Sequence, residues 1–562
     1  MKSFAKLVKN EIIKAFAQTS YKVLLIILAV SFVILPILQF ALGSFADGFE
    51  VIFDGDVEDD IYDLEKNLES QDDEIDKAYI SVRIECLKQL EKHDLSYSSW
   101  QYNTMYQDYE ALCMAEKALE MLKENIVSFD DLRKTSFGYY LPMLDEEELD
   151  YSLLYNRYHK ERLEYEKLFE SSQVTDYYKQ ISKTLSNNIK EIEVALGQYK
   201  ASNLLKNEYE YEILIYEKTL EAGKLSLNIF EELIERKLEY NGWEYNSAMI
   251  SYQITSDLAG VKPPMSETEF DSTISFLRPT DTYEEYIEEW KQDINDKVDA
   301  VYALEYSVKN DIPTQSAQSS SSKGQFISIL TSNIQFIMYF LIVLAALIVS
   351  NEFSSGTSRL LFVRPHSRNK ILLSKYATVA FFAVALNIVN LLITFIAVMI
   401  TSGVGDLFAP MLTVENGIVS EIPQIFNTLA VVILANIRVA FIVTLTFMLA
   451  SLSKKGALSI VVGIIADIVM SAIGAILIML ISSTGPKFTP FVYYDLEMFA
   501  SSKLEYMLST YYIGQISDIT NVAYFALSED LSVWAGIANL VFWIVVFAAA
   551  TFIPFKKQEI KN

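Results

Sequence analysis

The 562-residue chain lacks the short signatures that carry most catalytic chemistry. No GxxxxGK[ST] phosphate loop occurs, so the chain has no backbone cradle for a nucleoside triphosphate and no motor of its own. HExxH, a paired CxxC and G-x-S-x-G are absent too, and His93, His159 and His366 are too dispersed to indicate a metal site. An enzyme acting in its own right is therefore not expected, and neither is a metal or cofactor held by this chain. Proline is scarce over a long stretch: between Phe49 and Gly260 only Pro142 occurs, which leaves helices free to run. Cysteine is limited to Cys86 and Cys113. A disulfide between them is permitted in an oxidising compartment, but spacing alone does not say that they meet.

What is present falls into two chemically different parts. Apolar residues make up 51% of the chain and the net charge is −27, values that also suit an acidic soluble protein. Residues 43 to 324, however, carry about −32 and the remainder about +5, a segregation too strong for a single solvent environment. Six apolar runs lie outside the acidic part: Val23 to Leu42, Phe326 to Ser350, Tyr376 to Ile400, Ile425 to Leu452, Ala457 to Ser482 and Ser532 to Phe555. At ~1.5 Å per residue each is long enough to cross a bilayer. The first exceeds the ~7–15-residue core of a signal peptide and reads as a retained anchor.

Six spans put both termini on one side, and positive charge in short flanking loops marks the cytoplasmic side. Lys2, Lys6, Lys9, Lys14 and Lys22, the 351–375 loop, Lys454 and Lys455, and Lys556, Lys557 and Lys561 then all fall inside. Residues 43–324 and the loops with Asp406, Glu415, Glu421, Asp495, Asp518, Glu529 and Asp530 fall outside. The expected fold is all-α: a polytopic membrane protein with six transmembrane helices and a long-helix extracellular domain between helices 1 and 2.

Residues 1–22 place Phe4, Leu7, Val8, Ile12, Ala15 and Phe16 at helical spacing among lysines, as in a helix lying in the membrane interface and able to dock a soluble partner. In 43–324, Leu, Ile, Tyr and Phe recur three and four apart between Glu and Lys, which predicts amphipathic helices packed as a bundle or a coiled-coil-like stalk. Breaks are expected at Phe137 to Asp145, Ser171 to Asp176, Asn241-Gly242 and Gly260 to Met265. Thr282 and Glu285 have capping-box spacing for a last helix, and the Ser-rich run 315–325 is a tether. The tyrosines suit a core or rim, and the acidic surface suits solvation or, alternatively, capture of an external peptide or surface protein. No nucleic-acid partner is expected.

Two charges stand inside apolar runs, Arg438 and Asp467, where they are expensive. They lie sixteen residues before and thirteen after Lys454, so antiparallel helices would leave them ~4.5 Å apart in depth. The expectation is an Arg438 to Asp467 pair that sets the register of the fourth and fifth spans.

The loop between the second and third spans carries Glu352-Phe353-Ser354-Ser355-Gly356-Thr357, Arg359-Leu360-Leu361, Arg364-Pro365, Ser367-Arg368, Ile371-Leu372 and Lys375. This run resembles the cytoplasmic loop of ABC-2 type permeases, the membrane subunits of bacterial ABC exporters, and the likeness extends over residues 1–42 and 326–562. The resemblance implies a coupling helix at Glu352 to Arg368 seated in a groove of a separate ATPase. Phe353, Leu360, Leu361 and Phe362 would fill that groove, with Glu352, Arg359, Arg364 and Arg368 at its rim. It further implies two cytoplasmic ATPase subunits holding ATP and Mg, a second permease copy or related permease, a plasma-membrane location and short re-entrant helices in the external loop 483–531. The insertion after the first span is far larger than a minimal member has.

Overall fold

The computed structural model describes residues 2–52, 56–140, 150–201, 209–273, 282–313, 322–354, 367–480, 490–496 and 533–557. Helix α1 (Lys2–Ala17) buries or half-buries Phe4, Leu7, Val8, Ile12 and Ala15 of the expected apolar stripe, whereas Phe16 is exposed and Glu11, outside that stripe, is buried. Helix α2 (Thr19–Ile52) follows with Pro36 inside it and continues beyond the expected end of the span at Leu42.

The described chain divides into two compact units, residues 1–43, 198–222 and 250–562, and residues 44–197 and 223–249. The second unit is built on α3 (Val57–Ser70), α4 (Glu74–Lys92), α5 (Trp100–Lys123), the short α6 (Phe129–Leu132), α7 (Tyr151–Leu168), most of α8 (Val174–Ala201), the end of α9 (Glu210–Arg236) and the start of α10 (Trp243–Ala259). Local chemistry starts these helices: the side chains of Asp56, Asp73, Ser99, Ser128 and Asp150 accept first-turn backbone N–H groups that would otherwise lack partners. Helix α5 packs against α4 and α7, and Leu90, Met105, Met114, Leu119, Tyr177 and Tyr178 are buried. The Tyr177 hydroxyl keeps a partner in that core, donating to the Thr104 carbonyl at 3.1 Å.

The first unit includes α11 (Glu267–Thr273) and α12 (Tyr283–Asn310), the latter opened by the Thr282–Glu285 capping box. Then come α13 (Ser322–Ser354), α14 (Arg368–Thr401), strands β1 (Met411–Glu415) and β2 (Ile418–Ile422), α15 (Gln424–Ser453), α16 (Gly456–Leu480) and α17 (Val533–Lys557). Among the described residues, six helices, α2 and α13 to α17, are long and apolar enough to cross a membrane. Helix α13 is the central one, with 67% of its most apolar window buried against 17% for α14 and α17. It packs on α14, α15 and α16, while exposed apolar residues such as Phe381, Val384 and Ile388 on α14 are suited to lipid. Close approach of α15 and α16 depends on Gly463, where an added Cβ would lie 2.4 Å from Thr446 Oγ1.

Among the described residues, one strand pair interrupts an otherwise helical fold. Residues 411–422 form a two-stranded antiparallel hairpin with Met411 opposite Ile422 and Glu415 opposite Ile418. Its two-residue turn is Asn416-Gly417, both at positive φ (52° and 75°), the geometry whose twist matches paired strands. Asp299 of α12 accepts the two turn N–H groups, at 3.1 Å from Asn416 and 2.7 Å from Gly417, and Tyr306 donates to Glu421 at 2.8 Å.

The segments expected as loops are shorter than hydropathy indicated. Residues 351–354 complete α13, and 368–375 open α14, where Ile371, Leu372 and Lys375 are buried. Ser322 of the serine-rich run already belongs to α13; its N–H donates to Asp406 at 2.9 Å and its hydroxyl to the Ser402 carbonyl at 3.0 Å.

Candidate functional site

Two polar assemblies stand out in the first unit, and both hold charge where little water reaches. One lies at the foot of the loop between α13 and α14. Lys375, on the second turn of α14, donates to Glu11 of α1 at 3.0 Å and to the Ile348 carbonyl of α13 at 2.9 Å. The Lys375 and Glu11 side chains are only 4% and 8% exposed, so water contributes little to solvating either charge. Lys14 adds a second cation to Glu11 at 2.8 Å. Burial alone would raise the Glu11 pKa, but the Lys375 and Lys14 ammonium groups hold it below the usual carboxylate range. Around this pair, the Asn351 side-chain amide of α13 donates to Gln18 at 3.2 Å, and the rings of Phe16 and Phe382 lie 5.3 Å apart. Helix α1 is thereby tied to both helices that carry the loop.

Of the residues expected to couple to an ATPase, Glu352 and Phe353 sit on the last turn of α13 and Arg368 is the first residue of α14. Gly356, Thr357, Arg359, Leu360, Leu361, Phe362, Arg364 and Pro365 lie outside the described residues, as does most of the loop 483–531. Sequence reasoning missed Glu11. A signal existed, since it is the lone acid among the five lysines of residues 2–22.

The second assembly contains the two charges placed inside apolar runs, and it corrects their expected pairing. Arg438 of α15 forms its ion pair with Asp495 at 2.6 Å, and Asp467 of α16 is not its salt-bridge partner among the described residues. Asp467 instead accepts from Gln335 at 2.8 Å, Tyr339 at 3.1 Å and Tyr494 at 2.6 Å. The Gln335 amide joins the two groups, its oxygen accepting from Arg438 and its nitrogen donating to Asp467. Ser471 donates to Asp495 at 3.0 Å, and the Arg438 guanidinium lies 5.4 Å from the Tyr494 ring centre.

The expectation failed because equal depth along two helices does not fix which way their side chains face. It also omitted Gln335 and Tyr339, four residues apart on α13, and the 490–496 segment that brings Tyr494 and Asp495 to the same place. Tyr494 is fully buried and Asp467 is 3% exposed, so these hydrogen bonds replace hydration that the apolar surroundings cannot supply.

In the second unit, Cys86 of α4 is a buried free thiol and Cys113 of α5 a half-buried one. Cys113 also lines a cleft of about 860 Å³ with Glu85, Lys88, Tyr109, Glu116 and Arg162. Glu116 accepts from Arg162 and approaches His159, both at 2.7 Å. Among the described residues, no group of three or more His, Cys, Asp or Glu is placed to hold a metal ion.

Six apolar helices and charges satisfied inside the helix packing define a multi-pass membrane protein. A family described as a protein of unknown function (DUF2705) matches residues 303–560, from within α12 to the region after α17. The chain is also similar to the uncharacterized protein YhcI of Bacillus subtilis (strain 168), with 25% identity over 226 residues, or 40% of this chain. The match spans 64% of that relative's length. No solved structure matches the chain.

Proposed function

We propose that this chain is the membrane-spanning subunit of an ATP-driven transporter of the ABC-2 type, exporting an amphipathic or hydrophobic substrate such as a peptide, an antimicrobial or a lipid-like molecule. In this reading it lies in a bacterial plasma membrane with both termini cytoplasmic and residues 43–324 outside. It pairs with a second permease copy or a related permease and with two cytoplasmic ATPase subunits that hold ATP and Mg.

The observation that carries the reading is the buried Glu11–Lys375 pair, which joins α1 to the base of the ABC-2-like loop. A push on that loop by ATPase closure would reach α1, α13 and α14 together, because breaking the pair would cost two buried charges their mutual attraction. Helix α13 would pass the displacement to α15 and α16, with which it shares the Gln335 bridge. The second assembly then serves as a register lock, because its charges are occupied by one another rather than offered to a substrate.

The test is affinity purification of the tagged chain in mild detergent. A stoichiometric P-loop ATPase is expected to co-purify and to be released by Arg364→Glu with Arg368→Glu. An intact membrane complex that reproducibly lacks such an ATPase would refute the reading.

The cleft of about 860 Å³ in the second unit favours one alternative, a surface receptor in which the helical domain binds a ligand and the membrane helices relay the signal. Replacement of residues 56–313 by a short linker separates the two. Retained ATP-driven transport would make the helical region accessory, whereas loss of a ligand response with no transport in either protein would favour the receptor.

A further inference from the structure

The connection from α14 to β1 begins Ser402-Gly403-Val404-Gly405-Asp406, a composition that reads as a loop standing free in water. The structure instead folds it back over the helices it leaves. Residues 405–408 turn, with the Ala409 N–H donating to the Asp406 carbonyl at 2.9 Å. Asp406 also accepts the Ser322 N–H at 2.9 Å, which ties the turn to the first residue of α13. Leu407, only 4% exposed, packs in one cluster with Phe326, Ile329 and Leu330 of α13 and Val398 of α14. The α13 partners lie roughly one to two turns inside the end of their helix, so the turn's side chains reach below the helix ends.

Phe408 comes next in the chain and meets different surroundings. Its ring centre lies 6.3 Å from that of Phe395, six residues before the end of α14 and therefore ~9 Å below that end. Phe408 is nevertheless 69% exposed. Leu391, Leu392 and Met399, three or four residues from Phe395 and so on its side of α14, are exposed apolar residues as well. Only 17% of the most apolar window of α14 is buried. Phe408 thus extends the uncovered face of a helix built to cross a membrane. We propose that Phe408 inserts into the acyl region of the bilayer beside α14 and anchors the α14–β1 connection to the membrane.

Lipid is the occupant because the exposed apolar surface continues without interruption along α14, whose own surroundings are acyl chains. In water the ring would forfeit its transfer energy; in lipid it recovers it. The backbone permits this, since Asp406 and the Ser402 carbonyl keep their hydrogen bonds to Ser322 at the end of α13 while the phenyl ring alone descends. Ile418 makes the contrast. It is 71% exposed too, but it follows the Asn416-Gly417 turn held by Asp299 of α12 and pairs with Glu415, a polar setting suited to water. Since β1 begins three residues after Phe408, the anchor would also steady the foot of the hairpin that α12 grips. Insertion requires only that α14 spans the membrane; it depends neither on the transporter reading nor on which side of the membrane the loop occupies.

The test uses the full chain in lipid nanodiscs, with Cys86→Ala and Cys113→Ala removing the native thiols. A nitroxide is attached in turn at Phe408→Cys, at Ile396→Cys as a lipid reference on α14, and at Ile418→Cys as a water reference. Molecular oxygen concentrates in acyl chains and a neutral nickel chelate in water, so the ratio of their collision rates identifies what surrounds each label. The oxygen-to-nickel ratio at 408 is expected to match that at 396 and to exceed that at 418 several-fold. A ratio at 408 equal to that at 418 would put the ring in water and overturn the proposal. Weak collision with both probes at 408 would reveal a protein cover, such as a second copy of the chain, and would overturn it too.

A second variant, Phe408→Trp, retains an aromatic ring, keeps both native cysteines and needs no label. Lipids with brominated acyl chains should quench a larger share of its emission than of the unsubstituted chain's, whereas iodide in the buffer should quench no more. Extra quenching by iodide alone would overturn the insertion.

Discussion

Two ion pairs from each unit stand at opposite ends of the range of exposure. In the second unit, Lys88–Glu65 has partners 48% and 50% exposed, and Lys134–Asp131 has partners 75% and 67% exposed. In the first, Lys375–Glu11 is 4% and 8% exposed and Arg438–Asp495 is 15% on both sides. Water competes for the surface pairs and makes their removal nearly neutral. The buried pairs have given up hydration, so removing one partner leaves a charge that the surroundings cannot accommodate. Burial therefore separates the charges that organise this molecule from those that keep its surface solvated.

The largest expected effect is at Arg438. Arg438→Met should destabilise the folded chain by ~3–5 kcal/mol, seen as reduced yield and a lower thermal midpoint in detergent. Adding Asp495→Leu should recover part of the loss, whereas adding Asp467→Asn should not. Equal recovery from both second changes would break the assigned pairing. An unchanged midpoint in the single variant would break the contrast with the surface pairs.

Glu11→Gln should have a smaller effect, ~1–3 kcal/mol, because the amide keeps the shape and part of the hydrogen bonding. Its pH dependence is distinctive. The Glu11 pKa is lowered in the folded chain, so its stabilisation is present above the ordinary carboxylate range and is lost as pH falls through the folded value. The thermal midpoint of the wild type should fall toward that of Glu11→Gln in acid, with the gap widest near neutral pH. A constant gap throughout the acid range would rule out the paired carboxylate as its cause.

The smallest effect is expected at Lys88. Lys88→Ala should leave the thermal midpoint unmoved despite the 2.7 Å contact with Glu65. A loss comparable with that of Glu11→Gln would erase the distinction by burial.

Much of the architecture was legible because its causes are local. Long apolar runs identify the spans, and the Thr282–Glu285 spacing identifies the start of α12. Breaks at Ser171 to Asp176 and Asn241-Gly242 separate α7 from α8 and α9 from α10. The hairpin was also readable: Asn-Gly at 416–417 stands between MLTVE and IVSEI, a two-residue turn between β-prone segments. The acidic residues around it, Asp406, Glu415 and Glu421, speak only to topology when taken from the sequence. By contrast, membrane expense marked Arg438 and Asp467 as unusual without identifying their partners.

By itself, the sequence determined where the chain becomes apolar, where its helices begin and break, and which charges would be costly to bury. These properties follow from short-range backbone chemistry and from solvation of individual side chains. Only the tertiary structure decided that Lys375 would meet Glu11 across 364 positions and that Arg438 would take Asp495 rather than Asp467. Those choices depend on helix rotation and on segments distant in sequence arriving at one place, which side-chain periodicity along a single helix does not specify.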